Sequence, residues 1–189
     1  KAALEKAKVG GEEVADVLMG CVLPAGQGQA PARQAAFGAG MPDSVPCTTV
    51  NKMCGSGMKT VMMAYDALHA RSDDVIVAGG MESMTNTPHI LPKMRSCQRL
   101  GHTQVYDHMF IVGLEDGYDK GRLMGTYAED TAQHYQFTRE AQDNYAIESL
   151  ARAKKANEDG TFGNEMVAVT VASRKGDTVV DRDEQPFSA

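Results

Sequence analysis

Apolar positions along this chain fall into two textures. Up to about residue 82, short continuous apolar runs alternate with amphipathic stretches; beyond it the hydrophobic positions scatter. Lys1 to Lys8 reads as the end of a helix stopped by Gly10-Gly11, and Val14 to Leu23 is an apolar-rich run between Gly and Pro that predicts a buried strand. Gly26 to Gln29 is a loop. Pro31 to Phe37 predicts a helix with proline in its first turn and Gly38 and Gly40 near its end, and Val45 to Val50 predicts a second strand. After Gly55-Ser56-Gly57, the residues Met58, Val61, Met62, Tyr65 and Leu68 recur at helical spacing, which predicts a helix that buries this face and stops near Arg71-Ser72. Asp73-Asp74 then lead into Val75-Ile76-Val77-Ala78, an apolar run closed by Gly79-Gly80. Strand, helix, strand at this spacing is a βαβ unit, so an α/β fold with parallel strands covered on both faces is expected.

From Glu82 the pattern changes. Residues 83–106 hold no Asp or Glu but contain Lys93, Arg95 and Arg99, and they read as a long basic loop region. Thr126 with Glu129 three residues later predicts a capped helix start, with Ala128, Thr131, Ala132 and Tyr135 facing inward. Thr138 begins a longer helix ended by Gly160. Val167, Val169 and Val171 alternate before Arg174-Lys175-Gly176-Asp177 turns the chain into Thr178-Val179-Val180, a hairpin. The expected division is an α/β core over 1–82 and an α+β region over 83–189.

Composition narrows the class. With 42% hydrophobic and 23% charged residues the chain reads as a globular protein rather than a disordered one. A net charge of −6 gives no global reason to bind nucleic acid or an anionic membrane, and no run approaches the roughly 18 apolar residues of a membrane-spanning helix. The first residues have no signal-peptide pattern, and the chain is expected to be part of something longer. The four cysteines, Cys21, Cys47, Cys54 and Cys97, form no C-x-x-C pair and no zinc-ligand spacing, which fits reduced thiols and a cytoplasmic location.

Cys54 follows a predicted strand and immediately precedes Gly55-Ser56-Gly57 and a long helix. A thiol there meets the positive end of the helix dipole, which stabilises a thiolate, and the glycines leave room for an acyl group. A strand, a sharp turn and a helix recur as the setting of nucleophiles in covalent acyl transfer. The same pattern also fits a buried cysteine at a tight helix entry with no chemistry.

Two motifs here resemble the thiolase family of acetyl-CoA acetyltransferases and 3-ketoacyl-CoA thiolases: Asn51-Lys52-Met53-Cys54-Gly55-Ser56-Gly57 and Gly79-Gly80-Met81-Glu82-Ser83-Met84. Gly28-Gln29-Ala30-Pro31-Ala32-Arg33-Gln34 precedes them, and Pro88-His89 and Met124-Gly125-Thr126-Tyr127-Ala128-Glu129 follow in register. The resemblance implies a layered αβαβα fold, of which 1–82 is most of the first half, with an inserted α+β loop domain over 83–189 that covers coenzyme A. It implies acyl transfer between CoA thiols, giving acetoacetyl-CoA synthesis or 3-ketoacyl-CoA thiolysis. Cys54 matches the nucleophile, its own N–H helping to form an oxyanion hole, and Leu114 and Met124 match positions lining the pantetheine and acyl pocket. Coenzyme A enters as substrate and product, with no further cofactor and no metal, and the assembly implied is a homo-oligomer, a dimer or dimer of dimers. Leu123 stands where biosynthetic members often carry His. The family's Asn-Glu-Ala-Phe, Gly-His-Pro and Cys-x-Gly segments, which hold the activating His and the acid/base Cys, lie beyond residue 189. The stretch alone is therefore expected to be inactive.

Other residues carry weaker readings. Lys93, Arg95 and Arg99 fit subunit contact, CoA phosphates or a solvated loop. His89, His102, His108 and His134 lack metal-ligand spacing and read as structural. Met53, Met58, Met62, Met63, Met81 and Met84 are expected to pack the core around the Cys54 turn. Gly26-Gln27-Gly28 lacks the rest of a dinucleotide fingerprint, and Glu12-Glu13 and Asp73-Asp74 read as solvated caps. A decarboxylating condensing enzyme and a non-catalytic acyl-CoA-binding or assembly module of the same fold are the alternatives.

Overall fold

The computed structural model describes residues 1–70, 75–96 and 98–188. The expected helix end at Arg71-Ser72, the caps at Asp73-Asp74 and Cys97 lie outside the described residues. Strands β1 (Asp16–Gly20), β2 (Cys47–Val50) and β3 (Ile76–Gly80) form a parallel sheet in the order β2-β1-β3. Val17 lies opposite Cys47 and Val77, and Gly20 opposite Val50 and Gly80.

The central strand shows why the sheet needs helices on both faces. Side chains alternate along a strand, so Val17 and Met19 point one way and Leu18 and Gly20 the other. Helix α1 (Ala2–Ala7) is closed by Lys8 in a left-handed conformation (φ 57°), two residues before the expected glycine pair. Helix α2 (Pro31–Ala39) has proline at its start and ends at Gly40 (φ 90°), as its sequence predicts. On its side of the sheet Val14, Val17, Ala36, Met41 and Val45 form the core, with Met19, Cys47, Val75 and Val77 packed against them. Helix α3 (Ser56–Ala70) crosses over to β3 on the other side, where the Thr60 hydroxyl, fully buried, donates to the Gly79 carbonyl at 2.9 Å.

The face that α3 turns inward is not the predicted one. Ser56, Thr60 and Ala64 are buried, whereas Met58 (73% exposed), Val61, Met62, Tyr65 (62%) and Leu68 are exposed. Helix and sheet approach closely enough for a side-chain hydroxyl to reach a strand carbonyl, and only small residues permit that spacing. The methionines near the Cys54 turn are corrected likewise: Met53, Met58, Met62, Met81 and Met84 are exposed rather than packed in the core.

Two compact units divide between Thr126 and Tyr127, so packing does not follow the compositional change at residue 82. Segment 83–126 belongs with the first unit because Glu82 is hydrogen-bonded to the backbone of Val22 and Leu23, and His108 is buried. Within it β4 (His89–Ile90) pairs antiparallel with β5 (Tyr106–Asp107), followed by a π-helical turn over Met109–Leu114.

Helix α4 (Met124–His134) starts two residues before the predicted cap. Thr126 sits inside its first turn, its hydroxyl donating to the Leu123 carbonyl at 2.7 Å, and of the expected inward stripe Ala128, Thr131 and Tyr135 are exposed and only Ala132 is half-buried. In the second unit α5 (Arg139–Glu158) starts as predicted, with the Thr138 hydroxyl accepting the Ala141 N–H at 3.1 Å. Strands β6 (Val169–Val171) and β7 (Thr178–Val180) form the predicted hairpin.

Candidate active site

In an open parallel sheet, ligands bind beyond the carboxyl ends of the strands where the strand order reverses. Here the chain leaves β1 toward β2 and returns to β3 on the opposite side, so that point lies between Gly20 and Gly80. A cavity of about 480 Å³ opens there. Its lining includes Gly20, Val22 and Leu23 from the end of β1, Met53, Cys54 and Ser56 from the turn into α3, and Met81 and Glu82 after β3. Met109, Gly113 and Leu114 of the π-helical turn also line it. Most of these side chains are apolar; the polar ones are Cys54, Ser56 and Glu82.

Glycines set how close α3 comes. A Cβ on Gly20 would stand 2.8 Å from the Gly57 nitrogen and 2.9 Å from Ser56 Cβ, and one on Gly80 would stand 3.0 Å from the Gly20 carbonyl oxygen. The absence of both side chains lets the first turn of α3 rest on the strand ends, placing the residues just before it at the cavity.

The turn itself is built by a few hydrogen bonds. Asn51 Oδ1 accepts the Met53 N–H at 3.0 Å, and Met53 adopts a left-handed backbone (φ 50°) that methionine rarely takes. Ser56 is 5% exposed; its hydroxyl accepts the Lys52 N–H at 2.9 Å and donates to the Met53 carbonyl at 2.6 Å. Its own N–H donates to that same carbonyl at 2.9 Å. These bonds enclose Cys54 on both sides and leave its side chain exposed, two residues before α3 begins. Among the described residues none hydrogen-bonds its sulfur.

Of the three residues expected at the site, Cys54 and Leu114 line the same cavity. Met124, the first residue of α4, is half exposed and is not among the lining residues. Sequence reasoning singled out neither Ser56 nor Glu82. The signals available were a serine between two glycines at a helix start and an acid two residues after a glycine-ended strand. Cys21 lies behind the cavity wall, 5% exposed; burial, then the Glu82 carboxylate beside it, push its thiol upward.

The family profile described as "Thiolase, N-terminal domain" matches residues 1–189. The chain belongs to the thiolase family. It is 47% identical over 98% of its length to an acetyl-CoA acetyltransferase of Cupriavidus necator, 51% identical over 97% to acetyl-CoA acetyltransferase 2 of Arabidopsis thaliana, and 50% identical over 97% to a mitochondrial acetyl-CoA acetyltransferase of Bos taurus. It covers 47%, 46% and 43% of those relatives, so this thiolase N-terminal domain spans about half the length of the curated relatives it matches. The expected family and its α/β class are thereby established.

Proposed function

We propose that the protein carrying this thiolase domain transfers acetyl or acyl groups between CoA thiols through an acyl-Cys54 intermediate. The supporting observation is the placement of Cys54: an exposed sulfur on a hydrogen-bonded turn at the helix entry, facing a largely apolar cavity at the reversal of strand order. In the forward half-reaction the Cys54 thiolate attacks the thioester carbonyl, a new C–S bond forms, and coenzyme A leaves as its thiolate. Leu114 serves as part of the acyl pocket's wall, and Met124 is assigned to the more distant pantetheine portion of the substrate.

No side chain among the described residues hydrogen-bonds the sulfur. We therefore assign its activation to residues outside this stretch, and the stretch alone is inactive. The exposed Met58, Val61, Met62, Tyr65 and Leu68 stripe on α3 is the face we assign to the second half of the layered fold, with 83–189 as the region covering coenzyme A. A homo-oligomer, dimer or dimer of dimers, and a cytoplasmic location complete the proposal. Sedimentation and cell fractionation read these two, the latter against a Bos taurus relative named as mitochondrial. Among the described residues no helix is long and apolar enough to cross a membrane.

The test is intact-mass analysis of the intact protein after incubation with acetyl-CoA. One added acetyl group, lost in Cys54→Ala, is the expected result. Binding of acyl-CoA with no covalent adduct would instead favour a non-catalytic acyl-CoA-binding module. Thiolysis of acetoacetyl-CoA by residues 1–189 alone would refute the inactivity of the stretch.

A further inference from the structure

Acyl transfer through Cys54 leaves the charged residue of the Gly79-Gly80-Met81-Glu82-Ser83-Met84 run without a task. Glu82 stands two residues after the end of β3, and its carboxylate reaches across the sheet's edge to the segment after β1. Oε2 accepts the Val22 N–H at 2.7 Å, Oε1 accepts the Leu23 N–H at 2.9 Å, and the Cys21 thiol lies 3.6 Å from Oε1. Val22, Leu23 and Glu82 all line the cavity that holds Cys54. Leu23 in turn stands against the π-helical turn: a Cβ on Gly113 would be 3.6 Å from its Cδ2. One side chain thus joins three walls of the cavity, through hydrogen bonds strengthened by the acceptor's charge.

We propose that Glu82 is a positioning residue for the acyl substrate, holding Val22 and Leu23 at the spacing the acyl group requires. The proposal rests on the acyl-transfer reading of Cys54. Glu82 touches no reacting atom; it acts through the wall it fixes. Reach is the property that matters. Glu82→Gln keeps the length and one acceptor oxygen but sets its NH2 against the second donor. Glu82→Asp keeps the charge but is one methylene short and reaches neither N–H.

The experiment measures kcat and KM for acetoacetyl-CoA, the rate of Cys54 alkylation by iodoacetamide, and amide hydrogen exchange over Gly20–Ala25, in the intact protein and both variants. Loss of a charge-assisted bond predicts KM raised about tenfold in Glu82→Gln and further in Glu82→Asp, with kcat and the alkylation rate within about twofold of wild type. The Val22 and Leu23 amides exchange faster in both. Unchanged KM beside a lower melting temperature marks a purely structural role and overturns the proposal. So does a fall in kcat at constant KM, or a Glu82→Asp variant that matches wild type while Glu82→Gln does not. A wild-type protein that neither acylates Cys54 nor cleaves acetoacetyl-CoA sinks the acyl-transfer reading, whereas unchanged exchange at Val22 and Leu23 sinks the Glu82 proposal by itself.

Discussion

Replacing Gly20 by alanine tests whether the close seating of α3 on the sheet positions the Cys54 turn. The added Cβ would lie 2.8 Å from the Gly57 nitrogen, 2.8 Å from the Ser56 carbonyl carbon and 2.9 Å from Ser56 Cβ. Heavy atoms settle at about 3.5–4.0 Å, so the first turn of α3 must lift by more than about 0.6 Å. Two of the three clashing atoms are backbone, and β1 is held on both sides by β2 and β3, so neither partner yields cheaply. Overpacking of this kind costs about 1–3 kcal/mol, read as a lower urea midpoint at unchanged slope. The Lys52–Ser56 bond moves with the helix, and under the proposed acyl transfer a displacement approaching 1 Å at the Cys54 sulfur lowers turnover on the order of 100-fold. Gly38 is the control. It lies within α2, nothing stands within 4 Å of an added Cβ, and Gly38→Ala should raise stability by about 0.5–1 kcal/mol with turnover unchanged. A Gly20→Ala protein with the wild-type midpoint and wild-type turnover would refute the idea that this contact sets the turn.

Other outcomes follow from the same geometry. Ser56→Ala leaves the Lys52 N–H without its acceptor and should cost about 1–3 kcal/mol, with a changed Cys54 alkylation rate in the fully folded protein. Thr60→Val removes the hydroxyl proton shared between the Gly57 carbonyl (2.7 Å) and the Gly79 carbonyl (2.9 Å) at constant shape and should cost about 1–2 kcal/mol by urea titration, with Cys54 alkylation unaffected. Iodoacetamide should modify Cys54 before Cys21, because burial and Glu82 push the Cys21 thiol above its ordinary 9.0. A thiol raised in the folded state favours folding at pH below its unfolded value, a contribution lost as pH climbs through the folded value, so Cys21 labelling should lag that of the unfolded chain above pH 9.0. At the end of α5, bonds from Lys155 first and then Thr161 lower the Asp159 carboxyl from 3.8 to about 2. The sign is that of a depressed acid: its contribution is present above the unfolded value and disappears as pH falls toward about 2, and an NMR titration of Asp159 should show that midpoint.

Periodicity located α3 but not its inward face. Two stripes share that helix, one of large apolar side chains and one of Ser56, Thr60 and Ala64, and the larger hydrophobic signal belongs to the stripe that packs on nothing described. A sheet contact close enough for the Thr60 hydroxyl to reach a strand carbonyl selects small residues, which hydropathy alone undervalues. Strand β1, both helix starts at Pro31 and Thr138, and the β6–β7 turn were legible because each carries local chemistry: a buried apolar run, a proline, a cap, a glycine. The Cys54 turn was legible for the same reason. Glu82 was not, since its partners Val22 and Leu23 are backbone groups some sixty positions earlier in the chain, and no side-chain pattern announces which N–H a carboxylate will find. The division at Thr126 was hidden likewise, because the change in composition at Glu82 marks a loop rather than a loss of contact.

Met53 occupies a backbone region that glycine and asparagine enter more readily, yet its side chain forms part of the wall beside Cys54. Exchanging it for either of those residues would relax the main chain and enlarge the chamber in a single step. Sturdiness and breadth of cavity usually oppose each other in enzyme engineering; Met53→Asn, which eases the main chain without glycine's added freedom in the unfolded state, is the exchange in which relief and room coincide.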